Sequence, residues 1–294
     1  MIQKLASGLS SRTVAASPRS YLRLLRHNTS VALGAGLLLF IGLTALFAPL
    51  LFTTDPTALD PIARLTGPST ELWFGSDMYG RDIYSRTVYG CRISLMVGLS
   101  VAILSISIGL AIGLVAGYLR WLDAIVMRIM DGIMAIPGIL LAIALLALAG
   151  ASLGTVILAI TVPEIPRVVR LVRGVVLGIR EEPYVEAAIS LGTRTPQLLV
   201  RHVLPNIVAP LIVQGTYVCA SAIILEAILS FLGAGIPPET PSWGNIMAEG
   251  RIYFQIAPWI IFFPGLYLAI TVLAVNILGD GLRDTLDPRL AKRF

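Results

Sequence analysis

Apolar residues in this chain come in runs long enough to cross a lipid bilayer, and no other feature limits its possible folds so strongly. Such runs read at about 31–52, 94–119, 132–149, from 154 onward, 207–232 and 256–278. A stretch of about 20 apolar residues matches the roughly 30 Å hydrocarbon thickness as a helix, whose backbone groups pair within the segment. Composition agrees: of 294 residues 56% are hydrophobic and 13% charged, against about 25% charged in ordinary soluble domains. The expectation is an all-α, polytopic membrane protein with six transmembrane helices.

Several chemistries are excluded early. The two lysines, Lys4 and Lys292, lie in the tails, so no phosphate-binding G-x-x-x-x-G-K-[ST] loop is available. If ATP drives this protein, a different chain hydrolyses it. Cys91 and Cys219 form no disulfide framework, and His27 and His202 are too far apart in sequence to suggest zinc, so no metal site is expected. No nucleophile elbow, HExxH or paired-carboxylate pattern argues for an enzyme, and no catalytic residue is named.

In chain order, residues 1–30 form a basic tail with Lys4, Arg12, Arg19, Arg23 and Arg26 and no acid. The apolar run that follows, 31–52, is too long for the core of a secretory signal and reads as an uncleaved first span. Residues 53–93 are polar and broken by Asp55-Pro56, Asp60-Pro61 and Gly67-Pro68, as an outer loop would be. Within it, Gly80-Arg81-Asp82 suits a turn held by a charge pair. In the second span Ser105, Gly109, Gly113 and Gly117 recur every four residues, lining one helix face with small side chains for close helix packing. Pro137-Gly138 predicts a kink in the third span, and Pro163 and Pro166 interruptions in the fourth. Arg167, Arg170 and Arg173 share a face and suit the headgroup region. Glu226 is an ionisable group inside the fifth apolar run, which costs about 2.5–3.5 kcal/mol at a span centre on the lenient scales and marks a candidate for gating or the translocation path.

The most polar segment of the second half is EPYVEAAISLGTRTPQLLVRHVLPN, residues 182–206. Pro183 suits a first helical position, Gly192 a left-handed helix end, Thr195-Pro196 a restart and Pro205 a stop. The segment therefore reads as helix, turn, helix. A DNA-reading helix-turn-helix is one alternative, but its second helix, 196–203, is too apolar to meet base edges; an ordinary connecting loop is another.

This segment resembles the cytoplasmic EAA loop of ATP-binding-cassette importer permeases, with Glu186, Ala187, Ala188, Gly192, Leu204 and Pro205 on the pattern and His202 where isoleucine is commoner. Three further stretches resemble the dipeptide and oligopeptide branch of that family: Trp73 to Arg86 with its GRD-x-x-SR wording, Pro237 to Gly244, and the ending GDGLRD-x-LDP at 279–288. The resemblance implies a core permease domain at 94–283 with five spans, a C-terminal tail at 284–294, and a loop at 182–206 that docks an ATPase as a helix in a groove. It also implies partners: a homologous permease in a heterodimer, two ATPase subunits carrying ATP and Mg, and a periplasmic or lipid-anchored substrate-binding protein. This chain would bind no cofactor and no nucleic acid, and would sit in a bacterial inner membrane.

Sidedness follows from charge without the family. The tail, the second-to-third and fourth-to-fifth connections and the C-terminus hold 17 of the 22 lysines and arginines. Positive residues stay inside, so both termini and the 182–206 loop are expected to be cytoplasmic. The rival from another class, a self-sufficient secondary transporter or channel, should carry buried charges in several spans or a repeated pair of broken segments. Glu164 and Glu226 are the candidates for such charges, and no internal repeat is evident.

Overall fold

The structure, a computed structural model, describes residues 28–286. The basic tail before Asn28 and the Asp287-Pro288 end of the last motif lie outside the described residues.

Helices α1 (Thr29–Leu46), α2 (Ile83–Tyr118), α3 (Arg120–Met134), α4 (Gly138–Ala149), α5 (Leu153–Arg180), α6 (Pro183–Ser190), α7 (Thr195–Leu198), α8 (Leu204–Phe231), α9 (Trp243–Gly250) and α10 (Trp259–Leu286) make up the described fold. Four helical segments are long and apolar enough to cross a membrane: α1, α2, α10 and the continuous stretch Thr195–Phe231. The bent pair α3 and α4 supplies a fifth.

Helix α2 is the central post. It starts at Ile83, ahead of the predicted Ser94, because Asp82 caps it by accepting from the backbone N–H of Tyr84 and Ser85 at 3.2 and 2.9 Å. At 1.5 Å per residue its 36 residues span about 54 Å, well beyond the hydrocarbon core. The predicted small-residue stripe does pack: added Cβ atoms at Gly109, Gly113 and Gly117 would lie 2.5, 2.6 and 2.7 Å from the Cβ atoms of Val168, Val172 and Val176. Every fourth residue of α2 thus meets every fourth residue of α5, and the α2–α5 contact is the most extensive in the fold.

The third predicted span is not one straight helix. Pro137 breaks it, and α3 meets α4 at 86°. The 12 residues of α4 reach about 18 Å, too short to cross alone. Helix α3 is tied to α5 instead: Arg170 and Arg173 pair with Asp131 and Asp123.

Prolines interrupt less than expected. Helix α5 runs through Pro163 and Pro166 as one 28-residue element. Pro205 does not stop its helix either. The five residues Leu199–Val203 form a π turn in which the N–H of Leu204 reaches the carbonyl of Leu199. That wide turn takes up the place where a proline ring would collide with the carbonyl four residues back, and Pro205 enters the first turn of α8 without a break. The result is a 37-residue rod from Thr195 to Phe231.

Candidate functional site: a folded loop and a buried carboxylate on one helix

The 182–206 segment is a compact knob. Glu182 and Pro183 open α6, which ends in a Schellman turn: the N–H of Thr193 donates to the carbonyl of Ala188 at 3.1 Å and that of Gly192 to Ile189 at 2.9 Å. Gly192 has φ +78°, a left-handed conformation that glycine adopts without a Cβ penalty. Val185, Ala188 and Leu198 form a small apolar core against Tyr118 and Ile179 at the ends of α2 and α5. Arg180 stitches the base, donating to the Tyr118 carbonyl at 3.1 Å with its guanidinium over the Tyr118 ring.

This packing separates the motif residues. Glu186 and Ala187 face outward, beside Tyr184, Ile189 and Leu191 at 45%, 47% and 87% exposure. Ala188, on the docking pattern by sequence, is 8% exposed and turned into the knob's own core. Leu204 is half-buried and Pro205 exposed. Asn206 links the two arms, donating to the His202 carbonyl at 2.7 Å and to the Tyr184 hydroxyl at 3.4 Å.

At the other end of the same rod Glu226 is fully buried, facing neither water nor a cation. Its carboxylate accepts hydrogen bonds from the hydroxyls of Ser242 at 2.8 Å, Ser230 at 2.9 Å and Ser94 at 3.4 Å. Those serines come from the loop, from α8 itself and from α2, so one carboxylate joins three segments. Ser242 also caps α9 by accepting from the Asn245 N–H at 3.2 Å. Trp243 donates from Nε1 to the Thr87 carbonyl at 3.0 Å, and Gly244 packs so closely that a Cβ there would lie 2.7 Å from the Cα of Ala227. Glu164, also buried, accepts from Arg167 at 3.0 Å and from Ser221 of α8 at 3.2 Å.

A charged cluster that the sequence reading only half found holds the opposite end of α9. Arg81 pairs with Asp77 at 2.6 Å, outside the Gly80-Arg81-Asp82 stretch in which the sequence suggests a charge pair, while Asp82 caps α2; Arg86 also reaches Asp77 at 2.5 Å, and both arginines reach Glu249 at 2.5 and 2.6 Å. Arg86 and Asp77 are each 1% exposed. Glu249 lies far along the chain, in the stretch between the fifth and sixth apolar runs, and nothing local in its neighbourhood signals its partners. Among the described residues no group of three His, Cys, Asp or Glu side chains is placed to hold a metal.

Residues 109–292 match the family described as binding-protein-dependent transport system inner membrane component. A probable peptide ABC transporter permease protein of Sinorhizobium fredii is 53% identical over 97% of this chain and 99% of its own length. A dipeptide transport system permease protein of Alkalihalophilus pseudofirmus is 42% identical over 94% and 91%, and a glutathione transport system permease protein of Pectobacterium atrosepticum 43% over 91% and 89%. Among solved structures, a chain from inward-facing conformations of the MetNI methionine ABC transporter superposes with a TM-score of 0.57 at 21% identity, covering 70% of this chain and 98% of that one; at that identity the likeness concerns the fold. This chain belongs to the family of binding-protein-dependent transport system inner membrane components.

Proposed function

We propose that this chain is the transmembrane permease subunit of an ATP-driven importer of short peptides or similar small solutes in a bacterial inner membrane. It works beside a homologous permease, two ATPase subunits that hold ATP and Mg, and an external substrate-binding protein. The observation that carries this reading is mechanical. A folded knob with an outward apolar and small-residue face, Tyr184, Ala187, Ile189 and Leu191, continues without a break into a rod that crosses the membrane. A groove on an ATPase that grips Glu186 and Ala187 would move the rod as it closes, and the rod would reorient the spans around a central path.

Six spans and cytoplasmic termini belong to the same proposal. Helix α5 supplies the sixth: its 28 residues reach about 42 Å, and its charges meet Asp123, Asp131 and Ser221. The uneven division of lysine and arginine sets the orientation. In a chain lacking Cys91 and Cys219, an impermeant thiol reagent should label Thr193→Cys from the cytoplasmic side and Glu239→Cys from the outside. Labelling of both from one side would refute the six-span arrangement.

The functional test is uptake of tritiated trialanine by proteoliposomes holding this chain with its partner permease, ATPases and binding protein. Uptake should require ATP inside the compartment that faces the knob. Uptake by this chain alone, driven by an ion gradient without ATP, would instead support a secondary transporter.

A further inference from the structure

Between the knob and just past its middle, the rod forms the floor of a half-open groove of about 620 Å³, walled by Leu171 of α5 and by Arg283 and Leu286 of α10. That volume lies within the range of about 300–1,000 Å³ that small ligands occupy. The floor alternates two kinds of surface. Asn206, Gln214 and Tyr217 offer neutral hydrogen-bonding groups, and Ala209 and Val213 offer smooth apolar ones. Pro205 and Pro210 also line it. Pro210 has no N–H, so the carbonyl one turn back, at Asn206, which also lines the groove, loses its usual helical donor. At the rim, the Tyr217 hydroxyl donates to Asp280 at 2.6 Å, which fixes the phenol one turn from Arg283. Among the described residues Arg283 makes no salt bridge.

We infer that this groove is a station on the solute path that holds a short peptide by its main chain, with the C-terminal carboxylate at Arg283. The inference rests on the importer reading above. The Asn206 carbonyl and the side-chain amides match the repeating N–H and C=O of any peptide. The apolar strips accept side chains without selecting among them, and a guanidinium suits a carboxylate. Because the floor belongs to the rod that carries the knob, movement of the knob alters the groove directly.

The test uses the complete importer in proteoliposomes, with photoreactive benzoylphenylalanine at Val213 or, as control, at Leu39, which is 63% exposed on α1 outside the groove. During ATP-driven uptake, tritiated trialanine should be captured at Val213 and not at Leu39. Arg283→Gln should lower trialanine uptake about tenfold, the loss expected for one charge-assisted hydrogen bond, with a matching fall in capture at Val213, while the ATPase subunits still co-purify. Normal uptake with no peptide captured at Val213, capture of phospholipid there in its place, or an Arg283→Gln variant that transports normally would overturn the inference and leave the importer reading standing. Failure of the unsubstituted complex to take up trialanine would instead remove the importer reading on which it rests.

Discussion

Ser242 donates a 2.8 Å hydrogen bond to Glu226 and in the same position caps α9, so one hydroxyl in the loop before α9 ties that helix to the long rod. Charge at residue 226 is tolerable because three hydroxyls donate to it. Glutamine keeps an acceptor oxygen and the shape, and a serine hydroxyl can turn to accept from its amide. Glu226→Gln should therefore assemble normally and transport more slowly. Glu226→Ala leaves three hydroxyls without an acceptor and opens a void, a loss of about 2–5 kcal/mol that appears as a lower melting temperature in detergent. Glu226→Lys aims a cation at hydroxyl donors and should fail to accumulate in the membrane. Accumulation and melting of the lysine variant at unsubstituted levels would show that the cluster is incidental.

The quartet of Asp77, Arg81, Arg86 and Glu249 makes a second, sharper prediction, because removal of one partner from a buried pair strands the other. Asp77→Asn should cost about 3–5 kcal/mol by weakening the hold on Arg86. Replacing both, as Asp77→Leu with Arg86→Met, should be less damaging than either single change, since no buried charge is then left with half its partners. Thermal melting of the three variants decides it: simple addition of the two single losses would mean that the buried pair is not coupled.

Close packing of α2 on α5 predicts a position-specific intolerance. At Gly113 an added Cβ would sit 2.6 Å from the Val172 Cβ and 3.0 Å from the Val169 carbonyl oxygen, whereas at Gly36 on α1 nothing lies within 4 Å. Gly113→Val should destabilise by about 1–3 kcal/mol or more through overpacking, and Gly36→Val should be nearly silent. Val172→Gly, which removes the Val172 Cβ, should partly restore Gly113→Ala. Membrane accumulation and melting temperature are the readouts, and equal behaviour of Gly113→Val and Gly36→Val would dismiss the stripe as a packing feature.

These examples mark how much was legible in the sequence. The small-residue stripe and the Gly192 turn are local patterns whose geometry follows from helix period and backbone sterics, and both appear in the structure; the charge pair suggested for Gly80-Arg81-Asp82 instead joins Arg81 to Asp77. Long apolar runs account for the four helical segments and the bent pair that are long and apolar enough to cross a membrane, short of the six spans expected. What stayed hidden depended on distant partners or on local compensation. Glu249 reaches Arg86 across most of the chain, and α9 is ordered by Glu226, Thr87 and Ala227. Pro205 reads as a stop unless the π turn before it is known, and Leu199–Val203 carries no residue that announces one. The inward face of Ala188 follows from contact with Leu198, across the turn, and helical spacing alone does not reveal it.

That last difference changes how the proposed docking should be tested. Ala187 is exposed and Ala188 is in the knob's core, so a bulky residue probes different things at the two sites. Ala187→Trp adds volume to the face offered to an ATPase without disturbing the fold beneath. It should leave the permease in the membrane, with normal melting, and strip off the ATPase subunits or abolish their substrate-stimulated hydrolysis. Ala188→Trp would force apart Val185, Leu198 and Tyr118 and should lower stability as well as coupling. At Gly192 no atom lies within 4 Å of an added Cβ, so Gly192→Val acts through the backbone alone. A β-branched residue at φ +78° costs about 1–3 kcal/mol and should tilt α6 against α7. Glu186→Ala removes at most one exposed anchor and should be milder than any of these. Co-purification of the ATPase subunits and hydrolysis by the reconstituted complex are measured side by side with melting. If Ala187→Trp and Gly192→Val both retain full assembly and full coupling, the knob is a connecting loop and the ATPase must grip this chain elsewhere.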